Sequence, residues 1–354
     1  MLIKTIRIIL FFALSAQLVA CGGSGSGGSG TSDRNQAGTA YDFRSADYGV
    51  DTECESDMPD TFFQPHLTGF DLDNAYMLLL TTLLSEQETE VALSQFKSWG
   101  FFQVKDWNHT GYGTRVYIAE HQSFVLVVFR GTTEPVEIVS NAIFITEETD
   151  IEGPDGPGRA HAGIWDVHRR TREDIHKLLM AVNDKDKPVI FAGHSRGGAF
   201  TVLQAAYFQQ RNAGDIETVY TFAQPRLGDR NFSEGLDALI GDRYFRIEFE
   251  RDVTPRVPPS ADMAQPLYEE GYIPLWLANT VESLNYDYDP GEAYILNEAG
   301  YLDPDYDSYQ TQLSFWRDLF DRFPNLVLSI PRLIEYFPEN HHPRVYICKL
   351  ANAL

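Results

Sequence analysis

The segment PVIFAGHSRGG, residues 188–198, joins a short apolar run to a glycine-rich turn. The run at 188–192 has the length and composition of a buried strand, and the small residues from Gly197 onward favour the start of a helix. Between them lies the pattern G-x-S-x-G, with Ser195 at its centre. A sharp turn of this kind needs glycine because a side chain would collide with neighbouring backbone. The segment predicts a strand-to-helix turn that presents the Ser195 hydroxyl at the positive end of a helix.

Apolar strands alternate with amphipathic helices on both sides of this turn. Strands are predicted at 115–120, 124–129, 188–192, 217–223 and 244–249, and helices at 71–99, 164–182, 197–210, 230–240, 313–336 and 345–354. Alternation of this kind is typical of a parallel sheet covered by helices. We therefore expect an α/β fold, with a mostly parallel central sheet and helices on both faces.

The residues after the turn include candidates for an acid and a base. A serine hydroxyl is a poor nucleophile unless a base takes its proton, and that base needs an orienting acid. Asp252 fits the acid because it follows the strand at 244–249 and precedes a stiff, proline-containing loop; the alternative is an aspartate that caps or pairs with Arg251. His341 and His342 are the histidines that follow Asp252 in the sequence, so one of them is the predicted base.

Five short segments occur in a fixed order along the chain. They are FRGT (129–132), HAGI (161–164), GHSRGG (193–198), TFAQPRLGD (221–229) and RDVTP (251–255). The fourth is the most specific. Together they resemble the fungal-type, or class 3, lipases of the α/β-hydrolase fold, over residues 75–258 with the histidine beyond.

The resemblance implies roles for the candidate triad. Ser195 would be the nucleophile and Asp252 the acid. In relatives the catalytic histidine often precedes a tyrosine by five residues, as His341 precedes Tyr346, so His341 is favoured over His342 as the base.

The resemblance also implies an oxyanion hole and a lid. The oxyanion would be met by the backbone N–H of Arg196 and by Thr132, through its N–H and its hydroxyl. A mobile lid is expected over 134–146, where an apolar face would open at a lipid–water boundary; the alternative is a surface helix packed permanently on the core. Arg196 departs from the family, which commonly has leucine there, but the donor is backbone and is expected to survive.

The implied activity is the hydrolysis of carboxylic esters of lipids, with acylglycerols as the leading substrates and no cofactor or metal. The alternatives within this chemistry are a phospholipase A1 and a short-chain or aryl esterase. An alternative from another functional class is a non-catalytic, surface-binding lipoprotein. The Tyr-, Asp- and Pro-rich stretch at 260–312 has no counterpart in the family and is expected to be an irregular insertion.

The first 32 residues predict export and attachment to a membrane. Residues 1–20 have a positive start and an apolar stretch, as in a signal peptide, and LVAC (18–21) resembles the lipobox of bacterial lipoproteins. Cys21 would then carry the lipid, followed by a Gly/Ser tether to residue 32, a lead-in at 33–70 and the hydrolase domain at 71–354. The expected location is the bacterial cell envelope, at the outer membrane, with the domain periplasmic or surface-exposed.

The net charge and the cysteines indicate which partners to exclude and whether a disulfide forms. The formal net charge of −23 argues against nucleic acid as a partner. With Cys21 lipidated, Cys54 and Cys348 remain, and in an oxidising compartment a disulfide between them is expected; the alternative is two buried thiols.

Overall fold

The computed structural model describes residues 69–131, 145–183, 186–300, 302–303, 309–323 and 340–353. Its helices are α1 (Leu72–Ser85), α2 (Thr89–Ser98), α3 (Ala162–Val182), α4 (Arg196–Gln210), α5 (Arg230–Ile240), α6 (Ala264–Glu269), α7 (Leu275–Leu284), α8 (Tyr309–Arg322) and α9 (Pro343–Ala353). Its strands are β1 (Gln103–His109), β2 (Thr114–Glu120), β3 (Val125–Phe129), β4 (Thr146–Gly153), β5 (Gly156–His161), β6 (Val189–His194), β7 (Ile216–Phe222), β8 (Tyr244–Phe249), β9 (Glu292–Leu296) and β10 (Leu302–Asp303).

One large sheet organises the described residues, in the strand order β1-β2-β3-β6-β7-β8-β9-β10. The strands from β3 to β9 in this order pair in parallel. β1, β2 and β10 add antiparallel edges, and β4 and β5 form a separate hairpin. The predicted fold class, a mostly parallel sheet in an α/β-hydrolase arrangement, is confirmed.

Helices cover both faces of the sheet because its strands are apolar on both sides. On β3, Leu126 faces a core that includes Leu79 of α1, and Val127 faces a second core that includes Leu203 of α4. α2 and α9 contribute to the first core, and α3 and α5 to the second. Complete burial of one such side chain contributes roughly 1.5–3 kcal/mol to stability. The two cores fix the sheet, and with it the turn between β6 and α4.

The helix predicted over 71–99 is two helices. Asp71 caps α1 by accepting a hydrogen bond from Asn74 N–H at 2.8 Å. α1 ends at Ser85 because Glu86, Gln87 and Glu88 cannot continue its buried apolar surface. The guanidinium of Arg115 donates to the Gln87 carbonyl oxygen at 3.1 Å and holds the corner between the helices.

Two strand pairings lack a clear pattern in the sequence. β1 (QVKDWNH) and β4 (TEETDIEG) are largely polar, so neither gives the apolar signal of a strand. The β4–β5 hairpin lies directly against α5: a Cβ on Gly158 would come within 2.3 Å of Phe232 Cα. Tertiary contact with a helix backbone therefore stabilises a hairpin that its own side chains do not specify.

The expectation of irregular structure at 260–312 is wrong in the described part of that stretch. It contains α6, α7 and β9, and β9 pairs in parallel with β8, so it belongs to the main sheet. β9 is short and has Ala293, Ile295 and Leu296 buried. The helices pack with α8 in a third apolar core around Met263 and Trp316. These elements are short and are separated by acidic and proline-rich connections, so the composition of the whole stretch does not indicate them.

Several predictions fall on residues outside the described ranges: the signal and tether, Cys21, Cys54, Thr132 and the lid, apart from its last two residues. Cys348 is described and is disulfide-bonded, and the described ranges contain no other cysteine. Within those ranges no helix is both long and apolar enough to cross a membrane.

Candidate active site

The turn between β6 and α4 places Ser195 in a strained conformation. Ser195 has φ 58° and ψ −131°, which a residue with a side chain rarely adopts. Its backbone N–H donates to the Phe222 carbonyl oxygen at 2.8 Å, which ties the turn to β7. A Cβ on Gly193 would lie 2.4 Å from the Gly197 carbonyl oxygen, and one on Gly197 would lie 2.4 Å from the Phe129 carbonyl oxygen. Glycine is needed at both positions because backbone atoms approach so closely.

Three side chains from distant parts of the sequence form one hydrogen-bonded chain. Ser195 Oγ lies 2.8 Å from His341 Nε2, and His341 Nδ1 lies 2.8 Å from Asp252 Oδ2. All three residues are buried. Ser195 follows β6, Asp252 follows β8, and His341 precedes α9, so each lies at the end of an element that the two cores hold in place.

His341, and not His342, lies between the serine and the aspartate. The Nδ1 of His342 instead accepts a hydrogen bond from Arg344 N–H at 3.2 Å. Burial, with the nearby charge of Arg344, lowers the pKa of His342 to about 4. His342 is therefore neutral near pH 7 and lies outside the chain that joins Ser195 to Asp252.

Further hydrogen bonds fix the Asp252 carboxylate. Thr254 N–H donates to Oδ1 at 2.9 Å, and the Tyr346 hydroxyl donates to Oδ2 at 2.8 Å. The same hydroxyl oxygen accepts from Phe249 N–H at 2.9 Å. Burial, followed by the neighbouring charge of Asp252, raises the pKa of Tyr346 well above its ordinary value, so the hydroxyl remains a donor. The sequence drew attention to Tyr346 only through its spacing from His341; its contact with Asp252 is a feature of the fold.

The first turn of α4 supplies a backbone donor beside Ser195. Arg196 is the first residue of α4, so its backbone N–H lies in the first helical turn, directly after Ser195. The Arg196 side chain leaves this position: its Nη2 donates to the Tyr112 carbonyl oxygen at 2.9 Å, and its guanidinium lies 4.9 Å from the Phe200 ring centroid. An arginine is thus accommodated where the resembling family commonly has leucine.

Among the described residues, no group of three or more His, Cys, Asp or Glu side chains is arranged to hold a metal ion. The site consists instead of a strained serine on a strand-to-helix turn, an imidazole and a buried carboxylate, on a mostly parallel sheet. That combination defines an α/β-hydrolase with a Ser–His–Asp triad.

Residues 126–261 match the family model of the class 3 lipases, described as Lipase (class 3). The matched segment contains Ser195 and Asp252 and ends before His341. With the relatives below, the match supports the class 3 lipase family that the five short segments suggested.

The curated relatives match over part of their length. A secreted mono- and diacylglycerol lipase of Malassezia restricta is 31% identical over 152 residues, covering 41% of this chain and 51% of that protein. Phospholipase A1-IIalpha of Arabidopsis thaliana is 26% identical over 163 residues, covering 38% of each. The chain therefore spans about half or less of the length of these relatives. A solved structure of Rhizomucor miehei lipase with its propeptide has a TM-score of 0.54 at 18% identity, over 76% of this chain and 84% of that one. That likeness concerns the fold alone.

Proposed function

We propose that this protein hydrolyses carboxylic esters of lipids through a covalent acyl-enzyme on Ser195. The observation that carries the proposal is the continuous chain of two 2.8 Å hydrogen bonds from Ser195 Oγ through His341 to Asp252. A neutral imidazole at this distance accepts the serine proton as the hydroxyl attacks, and a buried carboxylate stabilises the imidazolium that forms. A protein that only binds a surface has no need of all three groups in this geometry.

The reaction proceeds in two halves. In the first, Ser195 Oγ bonds to the ester carbonyl carbon while His341 Nε2 takes the hydroxyl proton; the tetrahedral intermediate then expels the alcohol, which receives that proton. In the second, His341 takes a proton from water, the resulting hydroxide attacks the acyl carbon, and the proton returns to Ser195 Oγ as the carboxylic acid leaves. Asp252 accepts a hydrogen bond from Nδ1–H and so orients the ring.

The negative charge on the carbonyl oxygen would be stabilised by two donors. Arg196 N–H, in the first turn of α4, is one of them, and Thr132 is proposed as the second through its N–H and hydroxyl. Loss of one such donor typically costs about 10²–10³ in kcat.

Acylglycerols are the proposed substrates, at a lipid–water interface that opens a lid over 134–146. The similarity to a mono- and diacylglycerol lipase supports this choice. The second candidate is phospholipase A1 activity, which the similarity to the Arabidopsis phospholipase favours.

The test compares the full chain with its Ser195→Ala variant on acyl esters of increasing length, below and above their solubility limit. Lipase activity predicts turnover of long-chain esters that rises sharply once droplets form and is lost in Ser195→Ala. Release of the sn-1 fatty acid from phosphatidylcholine in preference to triacylglycerol would favour the phospholipase. Turnover confined to short soluble esters would indicate an esterase, and no Ser195-dependent turnover on any ester would contradict the proposal.

We also propose that Cys21 carries a lipid anchor in a bacterial envelope, at the outer membrane. The support is the signal-like segment at 1–20, the LVAC ending and the Gly/Ser tether. Labelling with an alkyne fatty acid is expected to mark the wild-type protein and to be lost in Cys21→Ala, whereas equal labelling of both would contradict the anchor. Cys54 is the proposed disulfide partner of Cys348, which leaves Cys21 free for the lipid.

A further inference from the structure

His194, which directly precedes Ser195, makes a hydrogen bond to the residue that carries the base. Its Nε2 lies 2.8 Å from the His341 backbone carbonyl oxygen, although 147 positions separate the two in the sequence. The two imidazole rings are 4.8 Å apart, centroid to centroid. Both residues are buried, each with 3% of its surface exposed.

The other side of His194 lies close to Gly131, which follows β3 and precedes the proposed oxyanion donor Thr132. A Cβ built on Gly131 would lie 3.3 Å from His194 Nδ1 and 3.1 Å from the His194 carbonyl oxygen. The residue at 131 therefore packs closely on His194, one position before Thr132. His194 thus lies between Gly131 of the FRGT segment and the residue that carries the base.

The hydrogen-bonding partners fix the protonation state of His194. A carbonyl oxygen can only accept, so Nε2 must carry the proton. Burial, and then the nearness of the His341 ring, hold the pKa of His194 well below its ordinary value, so the ring is neutral and Nδ1 carries no proton. The other titratable groups near it are His342, the Tyr346 hydroxyl and Glu86, whose Oε1 would lie 3.3 Å from a Cβ on Gly131. Near pH 7 the bond to His341 is therefore a constant feature of the site.

We propose that His194 is a positioning residue: its Nε2–H holds the backbone of His341 so that the base stays within hydrogen-bond reach of Ser195 Oγ. His341 lies two residues before α9, outside the sheet, whereas His194 is the last residue of the central strand β6. The bond therefore ties the base to β6, a central strand that pairs in parallel with β3 and β7 and leads directly to Ser195. Displacement of a reacting group by about 1 Å can cost 10²-fold in rate, so loss of this bond is expected to act on kcat.

The test replaces His194 by one residue that keeps a hydrogen-bond donor toward the His341 carbonyl oxygen and by one that lacks it. His194→Gln keeps an N–H near the Nε2 position, and His194→Leu fills the space without a donor. Each variant is titrated with a phosphonate that reacts with Ser195, and kcat is expressed per titrated site, so that misfolded protein is not counted. We expect His194→Leu to lower kcat per site by about 10–100-fold with KM within about twofold, and His194→Gln to recover most of it.

A matched control separates this effect from the loss of a buried imidazole. His168 is also buried, on α3 in the other core, and His168→Gln is expected to leave kcat per titrated site unchanged. An unchanged kcat per site in His194→Leu would overturn the proposal. So would equal losses in the Gln and Leu variants, because the donor would then be irrelevant.

The inference rests on the proposed ester hydrolysis, and a second readout keeps the two apart. The His341 Nδ1–H group, 2.8 Å from Asp252 Oδ2, is expected to give a far-downfield NMR signal, and this readout needs no turnover. This signal is expected in the wild type and His194→Gln and is expected to shift or broaden in His194→Leu. An unaltered signal in His194→Leu would overturn the positioning role. If the wild type turned over no ester but its NMR signal still changed in His194→Leu, the proposed ester hydrolysis would be contradicted and the positioning role would stand.

Discussion

The Asp252 carboxylate has three hydrogen-bonding partners: Thr254 N–H, the His341 ring and the Tyr346 hydroxyl. Tyr346 also accepts from Phe249 N–H, so one phenol oxygen joins the end of β8 to the acid. Several donors on one carboxylate restrict its rotation, and this keeps Oδ2 directed at the base.

Replacement of Tyr346 by phenylalanine tests this restriction. Tyr346→Phe removes the donor to Asp252 and leaves Phe249 N–H buried without its acceptor, which costs about 1–3 kcal/mol. We expect kcat to fall roughly 5–30-fold, because about 1–2 kcal/mol of orientation is lost, and the free energy of unfolding to fall as well. Ester turnover and urea denaturation measure the two effects.

Tyr220→Phe is the control for Tyr346→Phe. The Tyr220 hydroxyl likewise accepts a backbone N–H, from Asp71 at 2.9 Å, but at the start of α1 rather than at the triad. The Tyr220→Phe variant is expected to lose stability with little change in kcat. If both variants changed kcat alike, Tyr346 would have no particular role in orienting the acid.

For individual residues, the sequence predicts the catalytic side chains but not the hydrogen bonds that position them. The motif and the positions after strands predict Ser195 and Asp252, and chain order leaves two adjacent histidines for the base. The choice of His341 comes from the family resemblance, through its spacing from Tyr346, and the structure agrees with it. The bonds of Tyr346 to Asp252 and of His194 to His341 join residues 94 and 147 positions apart, so no local pattern records them.

Among the elements, the β6–α4 turn depends on how closely three backbone segments approach. Gly197 lies against the end of β3, where a Cβ would come 2.4 Å from the Phe129 carbonyl oxygen and 2.8 Å from that of Arg130. These are the residues just before the proposed oxyanion donor Thr132. The distance between the nucleophile and that strand is therefore set by the absence of a side chain at 197.

Replacement of Gly197 by alanine is expected to separate the turn from β3. Backbone atoms cannot yield as a flexible side chain does, so we expect Gly197→Ala to cost about 1–3 kcal/mol of stability. We also expect kcat per titrated site to fall by more than the loss of stability would explain, because the two proposed oxyanion donors move apart. Thermal unfolding and kcat per titrated site measure the two effects.

Gly163→Ala provides the comparison within a helix. A Cβ there would lie 3.4 Å from a side-chain atom of His161, which is ordinary contact, and alanine favours helix by about 0.5–1 kcal/mol over glycine. This variant is expected to be neutral or slightly more stable. A Gly197→Ala protein as active and stable as Gly163→Ala would refute the account of the turn.

The elements that the sequence predicted well are those whose own side chains specify them. β3 and most of β6 are apolar runs, β8 is rich in aromatic residues and isoleucine, and α5 begins and ends where its pattern indicates. β1, the β4–β5 hairpin and β9 were missed because contacts from elsewhere stabilise them: the close approach of the hairpin to α5 is one example, and the pairing of β9 with β8 is another. Tertiary contact overrides weak local preference in such places.

Taken as a whole, the molecule buries several histidines in their neutral form. Burial, with nearby Arg172, lowers the pKa of His168 to about 3; burial lowers that of His161 to about 4, and His194 and His342 are also lowered. An unfolded chain would bind protons at these residues near the ordinary value of 6.5. Below that pH the unfolded state therefore binds more protons than the folded state, and the folded state loses stability.

His168 offers a clean measure of this effect, because it is almost fully buried and lies outside the triad. With a pKa of about 3 in the folded protein and 6.5 when unfolded, its contribution is complete above pH 6.5 and falls steadily as the pH drops toward 3. Between pH 7 and pH 5 the loss is about 2 kcal/mol, since one pKa unit corresponds to about 1.4 kcal/mol. His168→Gln cannot bind this proton, so its free energy of unfolding should decline less steeply. Urea denaturation of both proteins at several pH values is expected to give curves that converge by about 2 kcal/mol over this range, whereas parallel curves would show that His168 is protonated as readily in the folded protein as in the unfolded chain.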